Sequence, residues 1–124
     1  MDELVKTWLE EYQKAIRSGV TEDALPLFAE NSTLFGTRVN WSKYLPEYAK
    51  KQWDPIWSTS KDFEFTEILN ISDFGGSAYC AVLWKNTTKI DGEDVARFGR
   101  ATFVLEIRDD SFVAIHSHFS ESPK

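Results

Sequence analysis

Apolar residues recur at two different periods along this chain, and the change of period divides it in two. In residues 2–18, Val5, Trp8, Leu9, Tyr12 and Ile16 stand three and four apart. That spacing predicts an amphipathic helix with one buried stripe, ended by Gly19. Thr21 is placed to cap a second, short helix reaching to about Glu30, with Asp23 in its first turn and Pro26 near its start. "STLFGT" (32–37) reads as a short strand. Asn40 or Ser42 then caps a third helix over "SKYLPEYAKKQW", which Pro55 stops.

After residue 60 the period falls to two. "DFEFTEILNIS" opens with strict alternation, "GSAYCAVLWKNTTKI" is apolar on both faces, "VARFGRATFVLEI" alternates from Gly99 onward, and "SFVAIHSHFS" closes the chain. Asp91-Gly92 is a hairpin signal and Asp109-Asp110 marks the last turn. Helices followed by an antiparallel meander predict an α+β fold in which the helices cover one face of a curved sheet. One domain, residues 1–124, accounts for the length.

Composition narrows the function classes. The chain is 42% hydrophobic and 15% aromatic, which is globular. A net charge of −6 argues against a nucleic-acid partner, because phosphate binding needs a basic footprint. No apolar run approaches the ~20 residues of a membrane span, and the acidic start lacks the order of a secretory signal. The single cysteine, Cys80, excludes an internal disulfide and fits a cytoplasmic location. The Asn-x-Ser/Thr triplets at Asn31, Asn40, Asn70 and Asn86 are read as chance.

Two strings carry a family likeness. "EYQKAIRSGVTEDALPLFAENSTLFG" (11–36) resembles the helix–helix–strand opening of ketosteroid isomerase and its relatives. "RATFVLEIRDDSFVAIHSHFS" (100–120) is similar to the closing hairpin of SnoaL-like proteins and of the association (hub) domain of calcium/calmodulin-dependent kinase. The chain therefore resembles the nuclear transport factor 2-like superfamily, its SnoaL-like branch in particular. The resemblance implies a cystatin-like cone, a curved antiparallel sheet wrapped around the N-terminal helices with a cavity between. That superfamily holds isomerases, dehydratases, ligand binders and oligomerisation modules, so fold alone does not select an activity.

The resemblance also sets a test for catalysis. Ketosteroid isomerase uses a carboxylate base, a tyrosine and a protonated aspartic acid. The match puts Tyr12 at the tyrosine position, Gly36 at the base position and Ala101–Phe103 at the aspartic acid position. Tyr12 alone survives as a candidate catalytic group. Glu67 shares the parity of Phe63 and Phe65, so a regular strand turns it inward, where burial would raise its pKa and suit it to acid–base work. A bulge between Phe65 and Leu69 would turn it outward.

His116 and His118 sit one residue apart near the end of the last strand. A two-residue loop at Asp109-Asp110 pairs Phe103 with His116 and turns both rings inward. A longer loop with a bulge pairs Leu105 with Ile115 and turns them outward. Burying Val113, Ile115 and Phe119 removes more apolar surface than burying Ala114 and two imidazoles, which favours the outward arrangement, as does the resemblance. Two histidines at this spacing need a third ligand to hold zinc, and Cys80 lies on another strand, so neither a metal nor another cofactor is expected.

The expected inward wall is aromatic: Tyr12, Phe28, Phe35, Trp84, Phe103 and Phe119. Trp53 and Trp57 flank it from the third helix, and the Asp91-Gly92 hairpin puts Arg97 opposite Asn86 on the same face. Apolar walls with a few polar groups describe a small-molecule site. The first expectation is a SnoaL-like protein that binds a small apolar or aromatic molecule, oriented by Tyr12 and Arg97. The others are an isomerase- or dehydratase-type enzyme using Tyr12 with Glu67 or an inward histidine, and an oligomerisation module with a filled core. On the outer face, Tyr79, Leu83, Thr102, Val104, His116 and His118 form the expected homodimer surface.

Overall fold

The computed structural model describes residues 2–123. Helix α1 (Asp2–Ser18) is followed by a 3-10 helix (Thr21–Leu27) and strand β1 (Phe28–Phe35). Helix α2 (Leu45–Tyr48) runs through a π-helical turn (Ala49–Trp53) into α3 (Asp54–Trp57). Strands β2 (Ser60–Asp73), β3 (Ser77–Ile90), β4 (Glu93–Arg108) and β5 (Ser111–Glu121) complete the chain. The sheet order is β1-β5-β4-β3-β2. Strands β2 to β5 form the expected antiparallel meander, but β1 adds parallel to β5, so the sheet is mixed. Strands β1 and β5 lie far apart in sequence, which leaves ample chain for a parallel crossover.

Helix α1 buries Val5, Trp8, Leu9, Tyr12 and Ile16, as its spacing predicts, and Gly19 takes a left-handed φ of 74°. Each large side chain on that stripe is worth about 1.5–3 kcal/mol of transfer free energy. The Trp8 indole also donates to the Leu27 carbonyl at 2.9 Å, tying the helix to the 3-10 segment.

Three boundaries differ from the sequence reading. The second helix is a 3-10 helix ending at Leu27, and β1 begins at Phe28. Thr21 does not cap it: its hydroxyl donates to Asp54 at 2.8 Å, and the turn is closed by Ser18, whose Oγ accepts from the Val20 amide. Neither Asn40 nor Ser42 caps the third helical segment, whose first flanking residue is Tyr44. Ser42 instead exchanges backbone hydrogen bonds with Leu34 at 2.9 Å. Pro55 does not stop that segment. In the π turn the Asp54 amide reaches back to Ala49, so the bonding pattern has already widened where proline has no N–H to give.

The sheet owes its curl to irregular pairing. Strand β2 shifts register three times against β3, between Lys61 and Glu64, Phe65 and Glu67, and Ile68 and Asn70. The β3–β4 hairpin turns at Asp91-Gly92 with φ values of 51° and 81°, and places Asn86 opposite Arg97 as expected. Strand β3 then alternates cleanly, with Ala78, Cys80, Val82, Trp84, Asn86 and Thr88 buried.

Candidate functional site

Tyr12 sits where α1 crosses the concave face of the sheet. Its ring centroid lies 5.2–6.4 Å from those of Trp8, Phe28, Trp53, Trp57, Phe103 and Phe119. Most of these rings meet at steep angles, the arrangement their quadrupoles favour. Burial pushes the Tyr12 phenol well above its ordinary pKa, the nearby Tyr48 phenol adds to the rise, and hydrogen bonding with Trp53 opposes it. Burial likewise raises Tyr48.

Beside this cluster the structure leaves a cavity of about 50 Å3. Its inner wall is Tyr12, Ile16, Phe63, Trp84 and Phe119. The helical segment 45–57 supplies Tyr48, Gln52, Trp53, Ile56 and Trp57. Thr37, Ser60, Asn86 and Arg97 give it a polar rim. Trp53 and Trp57 stack at 5.1 Å, and Phe63 stacks on Trp84 at 6.0 Å.

Six of the residues expected at the site therefore meet there: Tyr12, Trp53, Trp57, Trp84, Arg97 and Phe119. Phe28 and Phe103 are buried behind Tyr12 and do not touch the cavity. Phe35 is elsewhere. Leu34 takes the inward place on β1, and Phe35 turns to the outer face, with its ring 5.3 Å from both His116 and His118. The two apolar neighbours could not be told apart from sequence, because the pairing of β1 with β5 decides between them.

Tyr48, Gln52 and Asn86 were missed as wall residues. Tyr48 and Gln52 stand four apart with Trp53 beside them, a helical stripe already present within the expected third helix, which Ile56 extends past Pro55. Asn86 shares the parity of Trp84. Being 6% exposed, it sits inside the fold rather than in a surface triplet.

The Gln52 side chain organises the rim. Its Oε1 accepts from the amides of Arg38 (2.7 Å) and Val39 (3.0 Å), and its Nε2 donates to Thr37 Oγ1 at 2.9 Å. Its amide and the Tyr48 hydroxyl fill the space a side chain at Gly36 would need, so the position matched to the isomerase base has neither a carboxylate nor room for one. Arg97 is paired with Glu121. Asn86 Nδ2 donates to Ser60 Oγ at 2.8 Å, while among the described residues Asn86 Oδ1 has no partner.

No carboxylate or imidazole lines the cavity among the described residues. Glu67 is exposed, because the bulge between Phe65 and Glu67 pairs it with the outward Leu83. His116 and His118 also lie on the outer face, by a different route from the one expected. The Asp109-Asp110 loop is the short one, with left-handed φ values of 51° and 66°. It pairs Leu105 with Ala114, so Phe112 and Ala114 are buried. Ile115 is then an extra residue between Ala114 and His116, and this bulge restores Ser117 to the inner face opposite Phe103. His116 Nδ1 lies 2.9 Å from the Thr33 carbonyl. Among the described residues no cluster of histidine, cysteine and carboxylate groups could hold a metal, and no helix is long and apolar enough to cross a membrane.

No family model matches the sequence, and no curated protein matches it. Solved structures do match the fold. A ketosteroid isomerase-like protein from Erwinia carotovora atroseptica superimposes with a TM-score of 0.84 at 15% identity, covering 98% of this chain and 96% of that one. A nuclear transport factor 2-like superfamily protein from Salmonella enterica gives 0.83 at 16% identity, covering 97% and 89%. A calcium/calmodulin-dependent kinase II hub from S. rosetta gives 0.79 at 18% identity, covering 97% and 95%. The chain has the nuclear transport factor 2-like, cystatin-like fold. At these identities the likeness shows the fold and leaves the activity to the site.

Proposed function

We propose that this protein binds a small molecule at the cavity beside Tyr12, with aromatic rings holding its apolar part and the rim fixing its orientation. The observation that supports this reading is the cavity's composition: stacked indoles and Phe119 in its wall, and Thr37, Ser60, Asn86 and Arg97 at its rim. Such mixtures of apolar wall and few polar groups are what small-ligand sites are made of. The volume of about 50 Å3 limits the part that enters to a few heavy atoms unless a wall side chain moves. For scale, an apolar cavity of ~150 Å3 takes benzene.

The test is a fragment screen on the intact chain, read by melting temperature and by the indole N–H signals of Trp53, Trp57 and Trp84. Binding at the cavity shifts those three signals together and raises the melting temperature. A screen in which no fragment does either sinks the reading.

A second reading concerns the outer face. Tyr79, Leu83, Thr102, Val104 and His116 are half-buried there, and Phe98, on the same side of β4, is 59% exposed. An apolar sheet face of this kind suits a second copy of the chain, meeting it through Tyr79, Leu83, Thr102, Val104, His116 and His118.

A further inference from the structure

The cavity takes only a few heavy atoms, but the inner face of the β3–β4 pair continues beyond it. Along that face Trp84 stands opposite Gly99, Asn86 opposite Arg97, Thr88 opposite Val95 and Ile90 opposite Glu93. Trp84 belongs to the cavity wall and Arg97 to its rim. Two residues further out, Val95 lines a separate, open groove of about 390 Å3, together with Ile90, Phe98, Glu121 and Pro123. Arg97 lines both spaces and so stands between them. At about 3.3 Å per residue, the distance along β3 from Trp84 to Thr88 is about 13 Å.

The two spaces differ in chemistry. The cavity wall carries the Tyr12 hydroxyl and the indole N–H groups of Trp53 and Trp57, donors for which the described residues show no acceptor beyond the Tyr12 oxygen that Trp53 engages. The groove offers Ile90, Val95 and Phe98, three large apolar side chains that are exposed. Apolar side chains gathered in an exposed groove are a mark of a ligand-binding surface. The Arg97–Glu121 pair is partly open to solvent, and pairs of that kind add little to a fold, so Arg97 can swing aside at small cost. Resting on the reading that the cavity is a ligand site, we propose that its ligand is an elongated amphiphile. Its compact, oxygen-bearing head accepts hydrogen bonds in the cavity, and its unbranched apolar tail passes Arg97 and lies in the groove against Val95 and Ile90.

A series of 1-alkanols tests this on the wild-type protein, with binding read by titration of the Trp84 indole N–H and the Val95 backbone amide signals. 1-Propanol shifts Trp84 and leaves Val95 in place. 1-Hexanol and 1-octanol shift both signals, and for each alcohol the two saturate at one concentration. Affinity rises about twofold with each added methylene, less than the roughly fourfold step of full burial because the groove is open on one side. Val95→Ser lowers the octanol affinity severalfold. If octanol binds no more tightly than propanol, if Val95 saturates apart from Trp84, or if Val95→Ser keeps the octanol affinity, the tail inference is wrong although the cavity does bind ligands. If no alcohol moves Trp84, the ligand-site reading itself fails and takes this inference with it. The wild-type comparison stands even where Val95→Ser does not fold.

Discussion

The indole of Trp84 lies across Gly99, its partner on the next strand, and occupies the space where a side chain at that position would project. Its Nε1 donates to the Arg100 carbonyl at 3.2 Å, which locks the ring flat against the sheet. A Cβ at residue 99 would run into the indole on one side and the Ser120 backbone carbonyl on the other, and neither the sheet nor a stacked ring has room to retreat. Gly99→Ala therefore costs stability by overpacking, about 1–3 kcal/mol, and pushes Trp84 into the cavity. Urea unfolding measures the first effect and the Trp84 indole N–H signal the second. An alanine variant as stable as the parent, with an unmoved indole, contradicts the packing.

The rim depends on a single amide. Gln52→Ala removes the acceptor shared by the Arg38 and Val39 amides and the donor to Thr37, for a loss of about 1–3 kcal/mol. Gln52→Glu keeps the acceptor, and the Thr37 hydroxyl can turn to donate to it, so its cost is smaller. Hydrogen exchange at Arg38 and Val39 separates the two: rapid in the alanine variant, slow in the glutamate. Equal protection in both would show that the loop holds itself.

How much of this was legible in advance varied with how local the signal was. Helix α1 and the Asn86–Arg97 register could be read directly, because a period of 3.6 residues and an Asp-Gly turn each act within a few residues. The bulge at Ile115 could not. Nothing near Ile115 marks it; it exists because Phe112 and Ala114 at one end and Ser117 and Phe119 at the other must face the core on the same strand. The outward facing of the histidines was thus expected, but by the wrong turn and with the wrong residues buried: Phe112 and Ala114 take the core places that Val113 and Ile115 were expected to fill. Phe35 and Leu34 were adjacent apolar residues whose facing depends on a parallel partner 83 residues away. Tyr48 and Gln52 lay within the expected third helix, but which of its faces meets the sheet is set by tertiary packing; Ile56 alone was hidden by the assumption that the helix ends before proline.

Alkali should unfold this protein through three buried protons. Burial disfavours the phenolates of Tyr12 and Tyr48 and pushes the Cys80 thiol up to about 12. The folded state therefore keeps these protons to higher pH than the unfolded chain. Below the ordinary thiol value of 9.0 both states are protonated and the full stability is present. As pH rises through 9.0 and then the ordinary phenol value of 10.0, the unfolded chain releases protons that the folded one retains, and stability falls. The slope reaches about 1.4 kcal/mol per pH unit for each group. Melting temperature against pH shows the decline, and Tyr12→Phe or Cys80→Ala makes it shallower. In the native protein at pH 8, Cys80 stays inert to a disulfide reagent until unfolding exposes it. A melting temperature flat from pH 9 to 11 would rule out the burial argument.

Self-association through the outer face makes the last prediction. Val104 stands at the centre of that face, opposite His116 on β5 and Tyr79 on β3. A stable pair of standard size buries roughly 800 Å2 on each partner, about what a five-stranded sheet face offers. Val104→Glu places a carboxylate at the middle of that contact, and by symmetry near its own copy in the partner. The side chain is only half-buried in the single chain, so the change is tolerated there and costs the monomer little. Sedimentation velocity on the wild type should give a dimer mass at micromolar concentration, and on Val104→Glu a monomer with the same far-ultraviolet spectrum. A wild type that sediments as a monomer throughout that range defeats the outer-face reading outright. A Val104→Glu variant that remains dimeric moves the interface elsewhere, first to the exposed Phe98 end of β4.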